Sequence, residues 1–195
     1  FLKMKGRGVA LLEGERVALN IIQRLCGIAS LTKEYVERAK PIKILDTRKT
    51  TPGFRIFEKY AVLCGGGVNH RFGLFDAILI KDNHIKASGG ITQAIEAVRK
   101  SNKGLMQIEV EASTLEEVKD AIAAKSDIIM LDNMTIEDTK KAVEIIGEKA
   151  KIEVSGSISL EKLDTLSKLD INFISIGSLT HSPKASDISM NFILP

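Results

Sequence analysis

Six short apolar runs rich in β-branched residues recur along the chain, each ending in a charged, small or phosphate-friendly residue. The run 42–45 leads through Asp46 and Thr47 to Arg48 and Lys49, and 77–80 leads into Lys81, Asp82, Asn83 and His84. The run 105–110 ends at Glu111, and 128–131 ends at Asp132 and Asn133. Finally 151–154 opens into Ser155, Gly156 and Ser157, and 173–176 into Gly177 and Ser178. Between them lie helical candidates at 54–63, 92–100, 114–124, 136–148 and 160–169. A longer one at 15–40 carries Val17, Leu19, Ile21, Ile22, Leu25, Ile28 and Leu31 near helical spacing and stops before Pro41. Thr114, Thr135 and Ser159 each precede acidic residues, the pattern of a capped first turn.

Near-continuous apolar strands alternating with helices predict a parallel sheet covered by helices. Six strands are fewer than the eight of a closed barrel, so the pattern allows an open barrel or a doubly wound layer. In a parallel barrel the C-terminal strand ends share one face, and the charged and glycine tips would meet around one pocket there. Such a pocket suits a substrate carrying phosphates and carboxylates.

At 195 residues the chain fits one domain, or a piece of something larger; it begins at Phe1 without a methionine or a clean element start. No apolar stretch approaches the ~20 residues of a membrane span, and the first residues lack the continuous apolar segment of a secretory signal. The net charge of +3 and aromatic fraction of 5% argue against nucleic acid, offering neither a strongly basic surface nor a stacking platform. Charge is uneven, however: residues 1–60 carry a net +7 and the remainder −4, which a solvated surface, a small anionic ligand or a partner subunit explains as well as DNA would. Cys26 and Cys64 have no further cysteine or histidine at zinc-ligand spacing and read as reduced thiols in a cytoplasmic setting.

Adjacent Arg48 and Lys49 put a planar fork for carboxylate beside a point charge for phosphate. The glycines at 65–67, followed by His70 and Arg71, permit a loop corner or a close approach to a ligand, with no strand before them to support a dinucleotide reading. Glu111 and Asp132, at tips of consecutive strands, could bind Mg²⁺ through its waters, accept ribose hydroxyl hydrogens and favour a positive sugar carbon. Ser155-Gly156-Ser157 and Gly177-Ser178 offer backbone N–H groups to a phosphate at the last strands.

The motifs D-T-R-K-T-T-P-G (46–53), G-G-G-V-N-H-R-F-G-L (65–74), L-I-K-D-N-H-I (79–85), E-V-E (109–111), L-D-N-M (131–134) and S-I-G-S-L-T-H-S (175–182) resemble those of quinolinate phosphoribosyltransferase. E-R-V-A-L-N (15–20) and Q-R-L-C-G-I-A-S (23–30) are similar to its first barrel-side helix, and the likeness runs in order from Leu11 to Asn191. The resemblance implies an α/β fold, an open parallel barrel of six strands (TIM-like) over 15–195, with 1–14 the remnant of, or linker from, an N-terminal domain. It implies transfer of phosphoribose from phosphoribosyl diphosphate to quinolinate with decarboxylation, giving nicotinate mononucleotide. By the same resemblance Arg48, His70, Arg71 and Lys81 would hold quinolinate. Lys49, Lys81, Glu111 and Asp132 would serve catalysis, with Glu111 and Asp132 toward Mg²⁺. Thr47, Lys49, Ser155, Gly156, Ser157, Gly177, Ser178 and His181 would bind the phosphoribosyl group. A homodimer is implied, with an arginine reaching the site from the neighbouring subunit's N-terminal domain.

Two positions depart from the family's habit: Ser157 stands where a second glycine is common, and Asn191 where an aspartate is. The related molybdenum-transport-linked family shares this ligand logic, but the quartet Arg48, His70, Arg71 and Lys81 favours quinolinate. A barrel piece that binds phosphate or a partner without turnover is the reading from another class.

Overall fold

The computed structural model describes residues 2–102, 106–191 and 193, and in it six strands form one all-parallel sheet. They are β1 (Lys43–Leu45), β2 (Ile78–Ile80), β3 (Ile108–Ala112), β4 (Ile128–Asp132), β5 (Lys151–Ser155) and β6 (Phe173–Ser175). The helices are α1 (Gly8–Ala39), α2 (Arg55–Cys64), α3 (Asp82–Ser88), α4 (Ile91–Asn102), α5 (Leu115–Ala123), α6 (Ile136–Ile146), α7 (Leu160–Leu166) and α8 (Ser178–His181). Leu105, part of the run expected to form the third strand, lies outside the described residues.

Strand order decides between the two architectures that the pattern allowed. From β2 to β6 each new strand adds beside the last in one direction, and β1 joins on the far side of β6. A doubly wound sheet reverses direction at a switch point, whereas this one winds as a barrel does. β1 and β2 do not pair with each other, so the barrel stays open between them. Part of that seam is filled by the segment after α2, where the Val68 N–H donates to the Ile44 carbonyl at 2.8 Å and Val68 O accepts from the Asp46 N–H at 3.2 Å.

The apolar core lies between the sheet and its helices. Ile80, Val110, Ile129, Leu131, Ile152, Val154 and Ile174 are buried with Ile95, Val118, Ala142, Ile146 and Leu163 from the surrounding helices. Each such aliphatic side chain contributes about 1.5–3 kcal/mol. Because strand side chains alternate, the other face holds Glu109, Glu111, Asp132, Glu153, Ser155 and Ser175 together with Leu45, Leu79 and Met130, and the barrel interior is rich in polar groups. An ordinary closed barrel fills this space with branched aliphatics.

Helix α1 starts seven residues ahead of the expected boundary, without a side-chain cap at Arg7. Its first turns leave Val9, Leu12 and Val17 exposed, so no buried face marks their helicity in the sequence. Further along, Ile28, Thr32, Tyr35 and Ala39 recur on its buried face. The tip 81–84 also differs from the expected strand end. β2 stops at Ile80 and Asp82 opens α3, where an acid suits the first turn and His84 Nδ1 accepts the Lys81 N–H at 3.0 Å. Gly89, at φ +85°, ends that helix.

Gly27 is a close-packing position. A Cβ there would lie 2.0 Å from the Lys184 carbonyl oxygen of the C-terminal segment, which runs back along α1. That segment is tied down by the Ser186 N–H donating to Gln23 O and by Gln23 Nε2 donating to Ile188 O. Helix propensity alone would make Gly27→Ala stabilising by about 1 kcal/mol. The expected outcome is the reverse: a loss of about 1–3 kcal/mol from overpacking, read by thermal denaturation as about 2–4 °C per kcal/mol.

Candidate active site

The tip of β1 is fixed by a buried ion pair. Asp46, fully buried, accepts from Lys59 Nζ at 2.5 Å and from the His70 N–H at 2.9 Å, and Lys59 also donates to the His70 carbonyl at 2.9 Å. The Asn69 amide nitrogen, turned toward Asp46, reaches Oδ2 at 2.7 Å and the Lys59 carbonyl at 3.0 Å. Burial pushes the Asp46 carboxyl up, and Lys59 opposes this. Below this pair, Glu58 accepts from Arg24 at 2.7 Å and from the Thr51 N–H at 3.1 Å. Arg24 also reaches the Thr180 carbonyl at 2.7 Å, and Arg55 donates to the Arg48 carbonyl at 3.2 Å. The loop carrying Arg48 and Lys49 is therefore held from α1, α2 and α8.

Helix α2 supplies these groups with its faces inverted. Glu58 and Lys59 are buried, whereas Ile56, Phe57, Tyr60 and Leu63 are exposed. At its end the glycines make a loop corner against α1: a Cβ on Gly65 would meet Ala29 O at 2.5 Å, and one on Gly67 would meet Thr32 Cγ2 at 2.8 Å. The chain then emerges at His70 and Arg71. Burial, followed by the charge of Arg48, pulls the Arg71 guanidinium below its ordinary value. The His70 N–H bond to Asp46 brings the backbone carrying Arg71 beside the one carrying Arg48, and cations so placed favour an anion between them.

The His70 ring turns into the barrel interior. Its Nδ1 accepts the Arg71 N–H at 2.7 Å, so Nε2 carries the ring hydrogen. Nε2 lies 3.2 Å from Glu109 Oε2 and 3.7 Å from Glu153 Oε1. Nδ1 is thus hydrogen-bonded to the backbone, and Nε2 lies beside the two carboxyl groups. The three groups bring ligand atoms within 4.8 Å of one another, but an N–H turned toward the carboxylates leaves no lone pair for a metal. Burial pushes Glu109 up to about 7 and Glu153 up to about 8, with the Glu109 charge adding to the second. Glu109 Oε1 and Glu153 Oε1 are buried without a partner among the described residues.

Nearer the barrel mouth, Lys81 pairs with Glu111. Asp132 stands in register with Ser155 and accepts from Asn133 Nδ2 at 2.9 Å. Gly156 has φ +96° and no room for a side chain, since a Cβ would meet Asn133 Oδ1 at 2.1 Å. Ser157 adopts φ +43°, the left-handed region that a glycine would enter without strain. At the last strand, a Cβ on Gly177 would stand 3.1 Å from Lys49 Cδ and 3.2 Å from His181 Nε2, so β1 and β6 bring Lys49, Gly177 and His181 together. Thr47 Oγ1 accepts the Lys49 N–H at 3.0 Å, and Thr180 Oγ1 donates to Lys49 O at 2.7 Å. Ser178 opens α8 beside Tyr35, whose hydroxyl donates to the Ile158 carbonyl at 3.2 Å.

The chain as a whole is similar to known proteins. The family model described as quinolinate phosphoribosyl transferase, C-terminal domain, matches residues 28–191. The chain belongs to the quinolinate phosphoribosyltransferase family. It is 50% identical over 194 residues to the probable nicotinate-nucleotide pyrophosphorylase [carboxylating] of Bacillus subtilis, covering 98% of this chain and 67% of that protein. It is 46% identical to the chloroplastic nicotinate-nucleotide pyrophosphorylase of Arabidopsis thaliana, covering 97% of this chain and 60% of that one. The crystal structure of NadC from Streptococcus pyogenes superposes with a TM-score of 0.91 at 49% identity, covering 96% of this chain and 66% of the other. The chain therefore spans about three-fifths to two-thirds of the length of these relatives.

Within this phosphoribosyltransferase barrel, Arg48 and Arg71 form one cationic zone, Lys81 and Glu111 pair, and Lys49, Gly177 and His181 form another zone. Sequence reasoning passed over Glu109, Glu153 and Lys59. For the two glutamates a signal existed: Glu109 stands two residues from Glu111, and Glu153 two from Ser155, so each shares the inward face with an expected site residue. Lys59 gave none, because a charged residue within a helix reads as solvent-facing.

The carboxyl pair has a pH signature. Folded-state values of about 7 and 8 mean that the native state holds protons that the unfolded chain releases near pH 4–5, so stability falls as pH rises toward 8. Burial lowers His70, which acts in the opposite sense as pH rises through about 6.5. The fall is therefore clearest between about pH 6.5 and 8. Glu153→Gln is expected to flatten it and to gain stability at pH 8.5, as denaturant unfolding at the two ends of the range would read.

Proposed function

We propose that the protein carrying this chain transfers phosphoribose from phosphoribosyl diphosphate to the ring nitrogen of quinolinate, with loss of the adjacent carboxylate, giving nicotinate mononucleotide, diphosphate and CO₂. The observation that carries this reading is the pairing of two cationic zones at one barrel mouth. Arg48 just beyond β1 and Arg71 in the segment that pairs with the end of β1 lie on one side, and Lys49 lies over Gly177 on the other. The first suits a planar dicarboxylate through guanidinium forks, and the second suits a phosphate through an ammonium and free backbone N–H groups. The names of the relatives, which cite this phosphoribosyl transfer, support the same assignment.

Arg48 and Arg71 would grip the carboxylates and hold the ring nitrogen in line with the anomeric carbon, an orientation effect worth about 7–11 kcal/mol. His70 would complete this side by fixing the chain next to Arg71, and Lys81 stands between the zones with its charge steadied by Glu111. Ser155, Gly156, Ser157, Gly177, Ser178 and His181, with Thr47 shaping the turn, would enclose the phosphoribosyl phosphate. As diphosphate departs, positive charge grows on the sugar carbon, and the carboxylates of Glu111 and Asp132 face that charge. Once the nitrogen is quaternised, its positive charge stabilises the electron pair left at the neighbouring carbon when CO₂ leaves.

Glu111 and Asp132 fit Mg²⁺ as a donor set of two carboxylates on adjacent strands, too few for an all-protein cage and suited to holding the ion through water and substrate phosphates. When bound, Mg²⁺ would neutralise the diphosphate leaving group.

A homodimer is part of this proposal. The exposed row Ile56, Phe57, Tyr60 and Leu63 on α2 supports a second copy docking there, as does a neighbouring hollow of about 380 Å³ between Thr50, Pro52, Arg55 and Phe72. No helix among the described residues is long and apolar enough to cross a membrane. A cytoplasmic location is proposed, consistent with the free thiols of Cys26 and Cys64.

The test is formation of nicotinate mononucleotide from the two substrates and Mg²⁺ by the natural polypeptide that carries this chain, followed by mass spectrometry. Arg48→Lys loses the bidentate fork and is expected to weaken quinolinate at least tenfold, equivalent to about 1.4 kcal/mol. Phosphoribosyl diphosphate binding should change little. Unchanged quinolinate binding by calorimetry would remove Arg48 from the role.

A further inference from the structure

We propose that Glu109, backed by Glu153, is a positioning residue of the quinolinate side: by flanking the His70 ring inside the barrel it aims Arg71 at the substrate. This inference rests on the function proposed above and adds residues to it that touch no substrate.

The geometry forms a chain of contacts. Glu109 on β3 and Glu153 on β5 are only 5% and 1% exposed; Glu109 Oε2 lies 3.2 Å from His70 Nε2, and Glu153 Oε1 stands behind it at 3.7 Å, beyond hydrogen-bond reach. The other ring nitrogen accepts the N–H of Arg71 itself, so ring orientation is transmitted directly to the Arg71 backbone. On the opposite side the His70 backbone is clamped by Asp46 and Lys59. His70 is thereby fixed at its ring and its main chain by two separate buried networks.

Arg71 needs this support. Its guanidinium makes one long contact, Nη1 to the Ala77 carbonyl at 3.4 Å, and its position otherwise depends on its backbone and on the fields of Glu109, Asp76 and Glu111. A side chain held this loosely keeps its donors free for a carboxylate, provided that its stem starts from a rigid point.

Stability does not account for the glutamates. Each leaves a buried oxygen without a partner among the described residues, and neighbouring carboxyl groups are an unfavourable filling for an interior that aliphatic residues would occupy readily. Residues that break a packing rule at this location, directly beneath a cationic reading head, have the character of a functional constraint.

The decisive comparison is Glu109→Leu against Glu109→Gln, assayed on the natural polypeptide that carries this chain. Leucine removes the acceptor for His70 Nε2, whereas glutamine keeps one through its amide oxygen. Glu109→Leu is expected to raise the quinolinate KM at least tenfold while that of phosphoribosyl diphosphate stays within twofold, and Glu109→Gln is expected to recover most of the loss. In an Arg71→Lys background Glu109→Leu should add little, because both changes act through the same side chain. Glu109→Met, which also lacks the acceptor, serves if Glu109→Leu does not fold. Ring ¹⁵N shifts of wild-type His70 should report hydrogen on Nε2. An unchanged quinolinate KM in a folded leucine variant, equal weakening of both substrates, or hydrogen on Nδ1 would overturn the proposal. If the wild type makes no use of quinolinate, the functional reading itself fails, and the inference with it.

Discussion

One buried carboxylate, Asp46, sits where the barrel fails to close, and the binding side chains are arranged around it. β1 pairs with β6 but shares no ladder with β2, so the sheet does not join the end of β1 to the segment that carries Arg71. Asp46 supplies that link by accepting from Lys59 of α2 and from the backbone of His70. Arg48 and Lys49 follow it within three residues, and Arg71 follows His70. Removing one partner from such a buried pair typically costs 3–5 kcal/mol, because the other charge is stranded. Here the same loss would also release both strands of the cationic zone.

Much of the architecture was readable in advance because it depends on the apolar side of each strand. Ile108, Val110, Ile129, Leu131, Ile152 and Val154 face helices, and their density identifies strands without further information. The strand order was not readable, since a βα rhythm is the same in a barrel and in a doubly wound sheet. Helix α2 hid its role for a physical reason: Glu58 and Lys59 are buried on ion-pair partners contributed from distant parts of the chain, while Ile56 and Tyr60 are exposed. Amphipathicity assumes that charge seeks water, and this helix satisfies its charge inside.

The site residues divide along the same line. Those at strand tips, such as Lys49, Glu111, Asp132 and Gly177, were legible because they interrupt an apolar run. Glu109 and Glu153 lie within the strands, where an alternating acid looks like the solvent face of an ordinary sheet. Only the curvature of the barrel turns that face inward and makes it the floor of a pocket. His70 was legible as a member of a motif, but not as a ring turned into the barrel interior with Nδ1 bonded to the Arg71 N–H.

The pairing of β1 with β6 has a consequence for how the molecule is made. Lys49 is held by a hydrogen bond from Thr180 across 131 residues of sequence, and Gly177 comes from the same late stretch. Contacts so far apart close slowly, and during synthesis they must wait for the ribosome to deliver the last strand. Until then β1 stands as an unpaired edge beside a half-built sheet. A ribosome-bound chain lacking its C-terminal end can possess most of the barrel and still lack the cluster of Lys49, Gly177 and His181, so assembly of that cluster is itself a check that translation has reached the end of the fold.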